Sequence, residues 1–121
     1  MYDHLGLHVR DLKASIRFYE AALGALGHVL CSQDATGAGL GPKGEPGLWL
    51  YADGGTRKPG VHVAFRAKNR AMVDKFHEAG VKAGGKDNGK PGLRTDYSPD
   101  YYGAFVIDPD GNNVEAVCFK K

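Results

Sequence analysis

A chain of 121 residues has room for one domain with its own core and needs no disulfide or metal staple to hold it. Its 42% hydrophobic and 25% charged residues are those of an ordinary soluble globular protein. The net charge is +2, and its sixteen Lys and Arg are scattered or form short pairs such as Arg57-Lys58 and Lys120-Lys121, so no phosphate-tracking stripe exists and nucleic acid is not an expected partner.

The opening MYDHLGLHVRDL lacks a basic segment followed by an apolar one, so no signal peptide is expected. No apolar run approaches the roughly 20 residues of a membrane span, and no membrane partner is expected. Cys31 and Cys118 stand alone in apolar stretches and read as buried free thiols of a reducing compartment, which predicts a cytoplasmic protein.

In chain order, residues 3–9 alternate and read as a strand. Asp11 then caps a helix near 12–25, with Leu12, Ile16, Tyr19 and Leu23 at helical spacing and Gly24 and Gly27 at its end. Strand candidates follow at 28–33, about 37–42 and 47–52, separated by Gly- and Pro-bearing turns. After a boundary near Pro59, a strand over 60–66 leads to a helix over 69–79. Asn69 caps that helix, Met72, Val73, Phe76 and Ala79 line one face, and Gly80 stops it. Strands near 81–84, 102–107 and 112–119 complete the series, the last two joined by the turn Asp108-Pro109-Asp110-Gly111. Residues 85–101 carry no periodicity and read as a surface excursion or a lid bearing Arg94, Tyr97 and Tyr101.

The chain also repeats. Shifted by 58 residues, His4 falls on His62, Phe18 on Phe76, Glu20 on Glu78 and Ala21 on Ala79, in phase with the two strand–helix units. A helix and three or four strands cannot bury both faces of a sheet alone, so two copies packed together are expected. The expected fold is therefore α+β: one domain over 1–121 with two tandem βαβββ modules, about 1–56 and 57–121, forming curved mixed sheets around a cavity.

Strand alternation puts His4, Gly6 and His8 on one face and Leu5, Leu7 and Val9 on the other. Strand 60–66 repeats this with His62 and Ala64 against Val61, Val63 and Phe65. Glu115 stands between Val114 and Ala116, where a carboxylate costs several kcal/mol unless paired or bound to a cation. Taken singly, each reads as a hydrogen-bonded imidazole or a salt-bridged acid. Together, two imidazoles and a carboxylate on three strands suit Fe, Mn, Zn or Ni with open positions for substrate.

HLGLHVRDLKASIRFYEAALG and FVIDPDGNNVEAV resemble the opening and closing motifs of the glyoxalase I/bleomycin-resistance/extradiol dioxygenase family, the vicinal oxygen chelate superfamily, over the whole chain. The resemblance implies paired βαβββ modules, a divalent metal on His4, His62 and Glu115, and often a homodimer. It also marks a departure. Glyoxalase I has a fourth ligand on strand 4, and here GLWLYADG most simply places Trp49 there, so glyoxalase I activity itself is not expected. An apolar strand 4 is more similar to the extradiol dioxygenases and the fosfomycin-modifying thiol transferases. The thiol transferases also match this chain in length, but their phosphonate-binding cations have no counterpart here. Bleomycin-binding members use the same fold without metal.

The implied function is that of a metal-dependent enzyme acting on a small oxygen-bearing organic molecule by lyase, dioxygenase or thiol-transfer chemistry. His8 is the expected general base, because imidazole titrates near neutrality. Tyr101, with Tyr97 and Tyr102 as alternatives, is the expected donor to a developing oxyanion. The expected pocket residues are Trp49, Arg94, Tyr97, Tyr102 and Phe105. The alternative is a metal-free protein that sequesters an aromatic or amphiphilic ligand in the same pocket.

Overall fold

The computed structural model describes residues 1–53 and 60–121, and its elements alternate as the repeat predicts. The first module comprises β1 (Leu5–His8), α1 (Leu12–Gly24), β2 (Val29–Gln33), β3 (Gly37–Gly41) and β4 (Leu48–Tyr51). The second comprises β5 (His62–Arg66), α2 (Arg70–Lys82), β6 (Lys86–Leu93), β7 (Tyr102–Ile107) and β8 (Asn113–Cys118). The boundary expected near Pro59 lies outside the described residues.

Each module makes one mixed four-stranded sheet, in the orders β1-β4-β3-β2 and β5-β8-β7-β6. In both, the first and last strands of the module run parallel and the other pairs antiparallel. Neither sheet closes on itself. The fold is α+β, two tandem βαβββ modules.

The helices form where the capping residues predict. The Asp11 carboxylate accepts from the Ala14 amide at 3.1 Å, and the Asn69 side chain accepts from the Met72 amide at 2.9 Å. Phe18, Tyr19, Ala22 and Leu23 of α1 and Val73 and Phe76 of α2 are fully buried. Each helix lies on its own sheet, and the two helices pack against each other. One face of each sheet thus joins a shared core, and the other carries no helix.

Two boundaries differ from expectation. Gly80 does not stop α2, which runs on to Lys82. A Cβ on Gly80 would sit 3.4 Å from the Phe18 ring and 3.5 Å from the Ala22 methyl, so this glycine serves the close approach of α1. The stop is Gly84, whose φ of 108° no side-chain-bearing residue adopts readily. The sixth strand lies not at 81–84 but at Lys86–Leu93, inside the stretch read as irregular. Its composition, KDNGKPGL, is poor for a strand. It pairs along one side only, with β7, and its register slips between Asp87 and Gly89 and again between Gly89 and Gly92. An edge strand with bulges tolerates the proline and glycines that a central strand does not.

The modules are locked together by the turn between β7 and β8. Asp108 is buried and accepts from the Tyr19 hydroxyl at 2.5 Å, as well as from the backbone of Asp110 and Asn112. Asp110 accepts from the Arg10 amide and from the Ser15 hydroxyl of α1. Among the described residues no helix is long and apolar enough to cross a membrane.

Candidate metal and substrate site

Most of the candidate residues lie on the helix-free faces of the two sheets. On the first sheet, β1 presents Gly6 and His8, with His4 just before the strand and Leu7 and Val9 buried behind. The register sets Gly6 opposite Trp49 and Trp49 opposite Gly39, while His8 stands opposite Tyr51. Glycine at two of these positions lets aromatic rings lie flat on the sheet. A Cβ on Gly39 would fall 2.7 Å from the Trp49 ring, and one on Gly6 would fall 2.6 Å from Tyr51.

On the second sheet, Ala64, Glu115, Phe105 and Gly89 form one row across four strands. The Glu115 side chain is only 2% exposed, whereas that of its partner His62 is 53% exposed. The two are joined by a hydrogen bond of 2.8 Å between His62 Nε2 and Glu115 Oε1. Tyr101 donates its hydroxyl to the other carboxylate oxygen. Burial, followed by the bond and charge of Glu115, pushes the Tyr101 phenol well above its ordinary range, so it remains a donor at any physiological pH. The Tyr101 ring is braced edge-on by Tyr97 at 5.0 Å and by Phe119 at 5.3 Å. Arg94 covers the Phe105 ring at 5.4 Å, and both line a depression of about 320 Å³ with Tyr97 and Asn113.

The expected residues thus fall into two groups. His62, Glu115 and Tyr101 are together, with Tyr97, Phe105 and Arg94 beside them. His8 and Trp49 lie on the other sheet, with His4 beyond the start of β1. His4 bonds Asp3 through Nδ1 at 2.7 Å, and among the described residues no three His, Cys, Asp or Glu form a group that could hold a metal ion within one chain. Tyr102 belongs to neither group. It alternates onto the helix side of β7, where it donates to Asp74 of α2 at 2.6 Å under the Arg70 guanidinium. That bond, followed by burial, raises its pKa.

The spacing of the donor atoms bears on whether a divalent ion fits. Two atoms bound to one ion at roughly 2.0–2.2 Å and about a right angle apart lie about 3 Å from each other. His62 Nε2 and Glu115 Oε1 meet that spacing, and a buried carboxylate gripped by an imidazole and a phenol is an arrangement a divalent cation would stabilise further.

The sequence profile of the Glyoxalase/Bleomycin resistance protein/Dioxygenase superfamily matches residues 2–116. The chain belongs to this superfamily. Solved members share its architecture. A glyoxalase/bleomycin resistance protein from Albidiferax ferrireducens T118 is 29% identical over 98% of both chains, with a TM-score of 0.83. A putative glyoxalase from Bacillus halodurans is 24% identical over 98% of this chain and 95% of that one, with a TM-score of 0.69. A glyoxalase/bleomycin resistance protein/dioxygenase family enzyme from Burkholderia phytofirmans PsJN is 16% identical over 98% of each, with a TM-score of 0.74. No curated protein matches the chain.

Sequence reading missed three members of these faces. Tyr51 was legible, since it alternates with Trp49 on one strand. Asp53, which accepts from His8 Nδ1 at 2.6 Å, resembles any turn aspartate before Gly54 and had no signal of its own. The Phe119 ring under Arg66, 5.2 Å from the guanidinium, lies beyond the end of β8 and was equally silent.

Proposed function

We propose that this superfamily member is a divalent-metal-dependent enzyme acting on a small oxygen-bearing organic molecule, with its site completed between two copies of the chain. The observation that carries this reading is the buried Glu115 carboxylate, bonded to His62 at 2.8 Å on a sheet face that no helix covers. His4 immediately precedes β1 of the other sheet, in phase with Gly6 and His8 by strand alternation. The helices pack together behind both sheets, so each bare face is left for a second copy to cover, and a homodimer brings His4 of one to His62 and Glu115 of the other.

In this reading His4, His62 and Glu115 hold the metal, one of Fe, Mn, Zn or Ni. When bound, the metal supplies Lewis acidity to a pair of substrate oxygens. Tyr101 fixes the free oxygen of Glu115 and so orients the ligand, rather than donating to substrate. Trp49 and Phe105 exclude water from the chelated end. Trp49 also takes the strand-4 place where glyoxalase I has its acid, which leaves more open positions for substrate and favours lyase, dioxygenase or thiol-transfer chemistry of another kind. His8 is the general base.

A second reading rests on the flat rings of Trp49 and Tyr51 and the aromatic row of Phe105, Tyr97 and Tyr101, which suit a metal-free binder of aromatic ligands. One experiment separates the two: metal content after purification without chelators, for the wild type and Glu115→Gln. The enzyme reading expects a bound divalent ion in the wild type and its loss in the variant. If the stripped protein and the variant bind small aromatic compounds as well as the wild type does, the binder reading stands instead.

A further inference from the structure

Three imidazoles of this chain meet an aspartate, in three different settings. His4 bonds Asp3, its neighbour in sequence, whose side chain is almost wholly in water. His77 on α2 bonds Asp87, but that carboxylate also accepts from Lys90 Nζ and the Gly89 amide and serves to hold a surface turn. His8 bonds Asp53, 45 positions away, through Nδ1 at 2.6 Å. Its ring also lies 5.6 Å from that of Tyr51 on the bare face of the first sheet. Asp53 is set there by a tight turn after β4, in which its own amide donates to the Tyr51 carbonyl at 3.0 Å, and that carbonyl also accepts from Val9.

We infer that Asp53 is a positioning residue for His8, and that the two form a proton-accepting dyad at the end of the site remote from His4. The role given to His8 rests on the proposed function; the pairing rests on geometry alone. Asp53 Oδ2 accepts the Nδ1 proton, which selects the tautomer with its lone pair on Nε2. No described residue bonds that nitrogen, and the imidazole is 58% exposed towards the open face. An O–H or N–H of a substrate then gives its proton to Nε2 and keeps the bonding electron pair. The imidazolium formed is balanced by the Asp53 carboxylate. Electrons stay on the substrate throughout, so no oxidant or reductant enters.

The place of the dyad also limits the substrate. A strand rises about 3.3 Å per residue, which sets the Cα atoms of His4 and His8 about 13 Å apart. The Tyr51 ring lies over Gly6 between them. The proton taken by His8 therefore belongs to a part of the substrate distant from the chelated oxygens, and an elongated molecule with a flat middle fits this face.

The test is the protonation pattern of each histidine ring, read by long-range proton–nitrogen NMR on the full chain at about pH 8, where free imidazole is neutral. His8 is assigned by loss of its signals in His8→Gln. The wild type is expected to show His8 in the Nδ1–H form with a strongly deshielded Nδ1 proton. Asp53→Ala should shift His8 to the Nε2–H form of free imidazole, Asp53→Glu should restore the native pattern, and the other ring signals should not move. A wild-type His8 in the Nε2–H form, or a pattern unchanged in Asp53→Ala, overturns the inference. Metal content measured on the same samples keeps the two claims apart. The native His8 pattern without metal leaves the dyad standing and removes the metal enzyme; retained metal without the pattern removes the dyad alone.

Discussion

Glu115 and His62 are joined by a 2.8 Å hydrogen bond across neighbouring parallel strands, yet one is almost fully buried and the other half exposed. Among the described residues the carboxylate accepts from Tyr101 on one oxygen and bonds His62 through the other. That asymmetry gives the candidate site a buried carboxyl floor and an accessible imidazole rim. Removing the Tyr101 bond should be felt at the metal. Tyr101→Phe is expected to fold normally and to weaken divalent-ion affinity by about 10–100-fold, the usual effect of losing a partner behind a ligand. Calorimetric titration of the stripped protein with Mn(II) or Zn(II) measures it.

The bond from Tyr19 to Asp108 ties the two modules and lies wholly inside the protein. Burial, helped by Asp108, holds the Tyr19 phenol well above its ordinary range, so it acts as a fixed donor. Tyr19→Phe keeps the ring and leaves a buried carboxylate oxygen short of one donor. A loss of about 1–3 kcal/mol in unfolding free energy is expected, measured by urea denaturation.

His28 lines a cavity of about 210 Å³ with Leu23, Leu40, Leu48 and Phe65, and its Nδ1 is buried with no described partner. Burial, followed by the Lys68 charge, lowers its pKa below the ordinary 6.5. As pH falls through that value the unfolded chain protonates there before the native state does, so stability declines towards acid. His28→Leu should equal or exceed the wild type in stability at neutral pH. It should also lose part of the decline between about pH 7 and pH 5, as followed by urea midpoints.

Trp49 is the single tryptophan, so its fluorescence reports this face alone. Gly39→Ala would place a methyl 2.7 Å from the indole and must lift it off the sheet. Emission should move to longer wavelength and quench more readily with iodide, at a stability cost of about 1 kcal/mol. An unchanged spectrum would mean that the ring does not rest on Gly39.

How far the sequence carried this picture depended on periodicity. Both helices, their caps Asp11 and Asn69, and seven of the strands follow from spacing that local physics imposes. The strand over Lys86–Leu93 was missed because its residues have little strand preference and are held in place by β7 and the bulges of an edge. Gly80 was misread because a glycine that lets two helices approach looks the same in sequence as one that ends a helix. Faces of strands were legible from alternation, which put His4 with His8 and Glu115 opposite Val114 and Ala116. The same rule also assigns Tyr102 to the helix side of β7, away from the pocket first expected for it. Which faces of the two modules meet is not legible in sequence, because nothing in a linear pattern says which face of one module meets which face of another.

A metal site shared between two chains is open to complementation between variants of either half. His4→Ala and Glu115→Ala should each abolish tight divalent-ion binding in the purified protein. Co-refolded in equal amounts, about half the pairs are mixed, and each mixed pair contains one site with both lesions and one intact site. The mixture is expected to recover about one quarter of the wild-type metal per chain, read by metal analysis after gel filtration. No recovery on mixing, or wild-type binding by either variant alone, would contradict it.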